Sequence, residues 1–183
     1  MRIVGGKYRH RLISFPDDMA HTRPTKDRIR EAVFSAIGDI SGARVLDLYA
    51  GSGAMGIEAL SRGASYATFV DVSALAAKTV KENLNSLKVG ESEYEILKTT
   101  DLIAVETFKN RNAKFDLVIL DPPYEKGEYE KIVDLLQSNN LLSDHAIIVM
   151  ESNRPIVLEN IDYQKNKEYH YGDILVYIYW RKL

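Results

Sequence analysis

Between Arg44 and Glu151, short apolar runs alternate with segments of helical periodicity, and this alternation restricts the possible folds more than any other feature. Strand candidates cover residues 44–49, 67–72, 94–98, 115–121 and 145–151, with helix candidates at 55–62, 75–87, 102–109 and 128–137 between them. Leu117-Val118-Ile119-Leu120 and Ala146-Ile147-Ile148-Val149 are apolar at every position, as strands covered by helices on both faces must be. Repeated βα units of this kind imply an α/β fold with a doubly wound, Rossmann-like parallel sheet. Gly63 and Gly90 lie just past two of the helices, where a left-handed residue helps to end them. The end of the chain differs. Residues 156–158, 167–171 and 174–180 read as strands, so the sheet should finish antiparallel.

Ahead of the alternation, residues 2–15 read as a hairpin: Arg2-Ile3-Val4, a Gly5-Gly6 turn, then residues 7–13. Pro24-Thr25 opens a helix in which Ile29, Val33, Ala36 and Ile37 share a face and Gly38 is the stop. Residues 1–40 are therefore expected to form a hairpin-and-helix extension, and residues 41–183 the main domain. A chain of 183 residues accommodates one domain with a small appendage. Charge divides along the same line, with net +4 over residues 1–44 and −6 over the remainder. Arg2, Lys7, Arg9 and Arg11 occupy the first fifteen residues without an acid. Such a basic end suits contact with a polyanion, or a solvated arm. Strand alternation would put Lys7, Arg9 and Arg11 on one face of the hairpin, positioned to neutralise phosphates.

Composition removes several chemistries. The chain has no cysteine, which excludes disulfides, thiolate nucleophiles and Cys-held metals. Its four histidines make no pair with metal-ligand spacing, so no metal is expected. The longest apolar run, Ile174 to Trp180, is far shorter than the ~18–20 residues that span a bilayer. The N-terminus lacks the apolar stretch of a signal peptide. The expected location is the cytoplasm, with no membrane partner.

Asp47-Leu48-Tyr49-Ala50-Gly51-Ser52-Gly53-Ala54-Met55-Gly56 joins the first strand to the helix after it. Gly51, Gly53 and Gly56 satisfy G-x-G-x-x-G, and Asp71 follows at the end of the second strand, where an acid can accept both ribose hydroxyls. The glycines let backbone approach a ligand, and the helix start favours a negative group. Adenosine is common to nicotinamide dinucleotides and S-adenosylmethionine, so the loop alone does not choose between them. Asp47 favours the second. It would repel a pyrophosphate and suit an ammonium group, although it can equally cap loop amides.

Asp121-Pro122-Pro123-Tyr124 follows the fourth strand, which neighbours the first in a doubly wound sheet, so the tetrapeptide should face the glycine-loop ligand. The prolines stiffen the exit and leave the Pro122 carbonyl as an outward acceptor. Asp121 and Pro122 can each accept one hydrogen of an exocyclic amine while Tyr124 stacks on the base, a contact worth ~1–3 kcal/mol. This arrangement aims the nitrogen lone pair at a methyl donor held by the loop. Pyrimidine C5 methylation needs a thiolate adduct that the chain cannot form, so an amine is the expected target.

These residues resemble the RsmD-type family of bacterial 16S rRNA guanine-N2 methyltransferases along nearly the full length. The matching stretches are Arg2-Ile3-Val4-Gly5-Gly6-Lys7, residues 22–34 beginning Thr22-Arg23-Pro24-Thr25, the Asp47 loop running on to Gly63, and Asp121-Pro122-Pro123-Tyr124. The resemblance implies S-adenosylmethionine held by Asp47, the glycine loop, Asp71 and Asp101, with Arg23 and Thr25 beside it. It also implies RNA contacts from the hairpin, and 16S rRNA in an assembling or assembled small ribosomal subunit as partner. His10 stands where this family usually has glycine, and Asp71 where some members carry glutamate. The alternatives are adenine-N6 methylation of DNA or RNA, methylation of a glutamine amide, a dehydrogenase, and a non-catalytic ribosome-assembly factor.

Overall fold

The computed structural model describes residues 1–16, 23–123 and 128–182, the side chains of residues 23–25 excepted. After helix α1 (Arg23–Ile37) come β1 (Arg44–Leu48), α2 (Ala54–Ser61), β2 (Tyr66–Asp71), α3 (Ala74–Ser86), β3 (Tyr94–Lys98), α4 (Asp101–Asn110), β4 (Phe115–Leu120), α5 (Tyr129–Ser138), β5 (Leu142–Ser152), β6 (Tyr163–Tyr171) and β7 (Ile174–Arg181). One seven-stranded sheet runs in the order β3-β2-β1-β4-β5-β7-β6. The first five strands pair in parallel, and β7 runs antiparallel to both β5 and β6. The expected doubly wound sheet with an antiparallel finish is present.

Alternating strand positions feed two buried layers. Val45, Phe69, Leu117, Ile119, Val149 and Ile178 pack beneath α1, α2 and α3. Leu46, Leu48, Val70, Val118, Leu120 and Met150 pack beneath α4 and α5. Covering both faces explains why the central strands carry no polar alternation. The order reverses at β1, whose neighbours are β2 and β4. The glycine loop after β1 and the segment after β4 therefore leave the sheet side by side. Among the described residues no helix is long and apolar enough to cross a membrane.

Four expectations need correction. Residues 2–15 do fold back antiparallel, with Arg2 bridged to Leu12, the Ile3 amide donating to the Arg11 carbonyl (3.0 Å) and the Ile13 amide to the Met1 carbonyl (3.0 Å), but the turn is not Gly5-Gly6: residues 5–10 are bends and turns. The cause lies in α2. The Lys7 amide donates to the Ser61 carbonyl (2.7 Å) and the Tyr8 amide to Ser61 Oγ (2.9 Å). Gly6, at φ 74°, lies so close that a Cβ would sit 1.8 Å from the Ser61 carbonyl oxygen. Backbone spent on α2 cannot pair with Ile3-Val4, so Lys7 and Arg9 share no strand face with Arg11. The chain returns through His10 at φ 71°, a left-handed position that favours glycine. Gly90 is not left-handed (φ −65°); Lys88, at φ 58°, takes that conformation after α3 instead. Residues 156–158 are not a strand: the flank of β5 they would occupy is taken by β7, and Ile156 and Leu158 fill the core as loop residues. Finally, β5 and β6 begin earlier than expected, through polar residues that periodicity does not mark.

The N-terminal segment is tied to α2 by a fully buried acid. Glu58 accepts from the amides of Val4 (2.9 Å) and Gly5 (2.8 Å) and from the guanidinium groups of Arg30 (3.1 Å) and Arg62 (2.9 Å). Arg30 is itself buried and also reaches Asp27 and the Arg2 carbonyl. A buried carboxylate of this kind persists only when paired and hydrogen-bonded. Ile3, Ile13, Ile29, Val33 and Phe34 complete the attachment by joining the same buried layer as α2.

Candidate active site

The site lies at the carboxyl ends of β1, β2 and β4, where doubly wound sheets bind ligands. After β1 the chain turns sharply. Tyr49 and Ala50 both donate to the Val70 carbonyl, and Tyr49 (φ 117°), Gly51 (φ 54°) and Gly53 (φ 78°) all hold positive φ. Gly53 caps the start of α2. Gly56 serves packing rather than a turn: a Cβ there would lie 2.4 Å from Phe69 Cε1, so its absence lets α2 sit on β2. Its amide donates to Asp47 Oδ2 (2.9 Å). Asp47 therefore caps the loop, and burial, with Asp121 and Asp71 adding repulsion, pushes its carboxyl up to about 7.

Asp71, half-buried at the end of β2, accepts from the Gly51 amide (2.9 Å) and the Ser73 amide (2.9 Å). Each bond uses one carboxylate oxygen, which leaves lone pairs facing outward for hydroxyl donors. Asp101 opens α4 and accepts from the Tyr49 hydroxyl at 2.6 Å, so the residue after β1 and the residue after β3 are joined across the site. Burial and that bond both raise the Tyr49 hydroxyl above its ordinary pKa. Val72, Leu75, Leu102 and Ile103, which neighbour Asp71 and Asp101 in sequence, are large apolar side chains left exposed. Sequence reasoning missed them because nothing in their pattern separates them from core residues. Exposed apolar side chains next in sequence to two carboxylates suit a flat, hydrogen-bonding aromatic ligand.

On the other side of β1, Asp121 leaves β4. Its carboxyl is pushed up to about 7 by burial first and Glu151 second, while Lys26 opposes both. Lys26 Nζ lies 3.4 Å from Asp121 Oδ2 and also contacts Glu151 Oε1. Ile29, Val33, Met55, Ile119, Val149 and Val176 line a narrow cavity beneath Asp121 and Glu151. Sequence reasoning missed Lys26 and Glu151 as well. One signal was available: Lys26 and Arg30 stand at i−3 and i+1 of Ile29, on the buried stripe of α1, where charge demands a partner.

Asp47, Asp71, Asp101, Asp121 and Glu151 gather at this end, against Lys26, Lys98 and Lys131 among the described ammonium groups, and the carboxylate surplus favours a cationic ligand. The structure thus brings together Asp47, Gly51, Gly53, Gly56, Asp71, Asp101 and Asp121, with Pro122 beside them. Arg23 and Thr25 lie at the start of α1 with side chains outside the described set, and Tyr124 lies outside the described residues. The four basic residues of the N-terminal segment divide: Lys7 pairs with Glu93 (3.3 Å) and Arg11 donates to the Ser86 carbonyl (2.9 Å), whereas Arg2 and Arg9 are exposed.

The family described as Conserved hypothetical protein 95 matches residues 1–180. The chain is 36% identical to Ribosomal RNA small subunit methyltransferase D of Escherichia coli strain K12, over 83% of this chain and 74% of that one. Among solved structures, yhhF of Escherichia coli, described as a "putative methyltransferase", superposes with a TM-score of 0.82 at 32% identity, covering 100% of this chain and 98% of that one. SMU.776, complexed with SAH, superposes with a TM-score of 0.68 over 85% of this chain and 49% of that one; at 14% identity it shows the fold alone.

Proposed function

The chain belongs to the Conserved hypothetical protein 95 family, and we propose that it moves a methyl group from S-adenosylmethionine to the exocyclic N2 amine of one guanine in 16S rRNA. It is an S-adenosylmethionine-dependent methyltransferase of small-subunit ribosomal RNA, and the guanine N2 is our finer assignment. The observation that carries the reading is the meeting, across β1, of a glycine loop ringed by carboxylates with an Asp-Pro-Pro exit from the neighbouring strand.

The residues present fit the cofactor. Asp71 offers free lone pairs for ribose hydroxyls, Asp101 with Val72 and Leu102 suits adenine, and the carboxylate surplus suits a cation. Gly51 and Gly53 shape the loop, Gly56 seats α2 against β2, Asp47 holds the loop from below, and we assign Arg23 and Thr25, at the start of α1, to the cofactor as well. When bound, the cofactor supplies a methyl group whose bonding pair stays on sulfur as the new N–C bond forms. The protein's part is positioning. Asp121 and the Pro122 carbonyl accept the two amine hydrogens, Tyr124 stacks on the base, and in-line placement of this kind supplies ~7–11 kcal/mol in favourable cases. The nitrogen sheds one proton as it gains the methyl group. A carboxylate raised to about 7 matches the task of receiving it, because general bases work best near the operating pH.

Residues 1–40 are the RNA-contacting extension, with Arg2 and Arg9 the freest to meet phosphates and Lys7 and Arg11 able to exchange their present partners for them. The substrate is the small subunit or an assembly intermediate in the cytoplasm. Mass-spectrometric mapping of 16S rRNA from a deletion strain tests the reading. One N2-methylguanosine should disappear and return on complementation; loss of an N6-methyladenosine instead would move the target to adenine.

A further inference from the structure

We infer that Lys26 and Glu151 are positioning residues for Asp121: Glu151 tethers the Lys26 ammonium against one oxygen of the Asp121 carboxylate, leaving the other to receive the target amine. The inference rests on the methyltransferase reading of Asp121 and deepens it.

The three side chains come from three elements. Lys26 sits in the second turn of α1, Asp121 at the exit of β4 and Glu151 near the end of β5, separated by 95 and 125 residues from Lys26. The ammonium bridges the two acids, 3.4 Å from Asp121 Oδ2 and in contact with Glu151 Oε1. Glu151, the more deeply buried of the two acids, is the anchor and Asp121 the beneficiary. Glu151 is well placed for this, because β5 is fixed locally: the buried Tyr129 hydroxyl donates to the Glu151 carbonyl at 2.6 Å. Asp121 Oδ1 accepts no hydrogen bond among the described residues and is the oxygen left for substrate.

Among the described residues, the charged and titratable groups that face Asp121 are Lys26 from α1, Asp47 from β1, Glu151 from β5 and Tyr129 from α5. Of these only Lys26 favours the ionised carboxylate. Removing Lys26 leaves Asp121 facing Glu151 and Asp47 unrelieved, which disfavours its charge. Removing the charge of Glu151 releases the ammonium to Asp121 and takes away a repulsion. The two changes therefore act on Asp121 in opposite directions. A scaffold role for either residue would instead lower activity at every pH.

The test is single-turnover transfer of labelled methyl from S-adenosylmethionine to small subunits of a deletion strain, followed from pH 5.5 to 9. Lys26→Met should move the midpoint of the acidic limb upward by about one unit, a loss of roughly tenfold below the midpoint that shrinks toward alkaline pH. Glu151→Gln should move the midpoint downward, and Lys26→Arg, which keeps the charge, should restore the wild-type midpoint. S-adenosylhomocysteine affinity, measured in parallel, confirms that each variant is folded. Midpoints that stay put, or that move the same way in Lys26→Met and Glu151→Gln, overturn the inference. Asp121→Ala in the same assay separates the two levels. If it transfers like wild type, the reading of Asp121 itself fails; if it is inactive while the midpoints stay put, only the role of Lys26 and Glu151 fails.

Discussion

The two sides of β1 are built by different means. On the β2 side, the glycine loop is made of backbone: amides of Gly51 and Gly56 reach Asp71 and Asp47, and the shape comes from residues without side chains. Every part lies within one β-loop-α-β stretch. On the β4 side, Asp121 depends on charged side chains delivered from α1 and β5. The first side is shaped by sterics and tolerates little volume; the second is shaped by charge and is sensitive to pH. A donor that must be gripped the same way each turnover suits the first construction. A target that must be desolvated and relieved of a proton suits the second.

Substitutions on the two sides should therefore produce separable defects. The largest effect is expected for Asp121→Ala, which should lower single-turnover transfer by ~10²–10⁴-fold, the range for a lost acid–base group, with S-adenosylhomocysteine affinity within a few-fold of wild type. Equal loss of both by calorimetry and rate measurement would merge the two sides. Next comes Glu58→Ala, which strands the buried Arg30 and the Val4 and Gly5 amides. Urea unfolding should show a loss of about 3–5 kcal/mol, because Glu58 serves the helix that carries the loop rather than either ligand. Gly56→Ala should cost ~1–3 kcal/mol through the clash with Phe69. Phe69→Leu in the same chain should recover part of the loss and of the cofactor affinity, and failure to do so would deny the packing role.

The smallest effect is a proton count. Asp47 and Asp121 are held near 7, above the ordinary 3.8. Between those values the folded chain holds protons that the unfolded chain has released, so these groups weaken the fold as pH rises from about 4 to 7. A bound cation favours their ionised forms. Calorimetry at pH 7 in buffers of different ionisation heat should therefore show proton release, larger for S-adenosylmethionine than for S-adenosylhomocysteine, which lacks the sulfonium charge. Equal release would leave the carboxylates without a role in sensing the donor.

The same contrast explains what could be read in the sequence. The alternation of strands and helices, the glycine loop and the Asp121 exit were legible because each follows from a short contiguous pattern. The N-terminal turn was not, because Gly6 and Lys7 are shaped by Ser61, a partner on α2 that no local pattern announces. Lys26 and Glu151 were hidden for the same reason, single residues whose meaning appears only when α1 and β5 flank β4. Their faint trace was charge on an otherwise apolar stripe, as with Arg30 and Glu58. Those are the positions to inspect first in similar chains.

A crystal structure with S-adenosylhomocysteine bound would test the account most directly. The sulfur should lie between the glycine loop and Asp121, the ribose on Asp71 and the adenine among Val72, Leu102 and Asp101. Ligand in the cleft at the opposite end of the strands, between Arg44, Tyr66 and Arg111, or a sulfur turned away from Asp121, would contradict it.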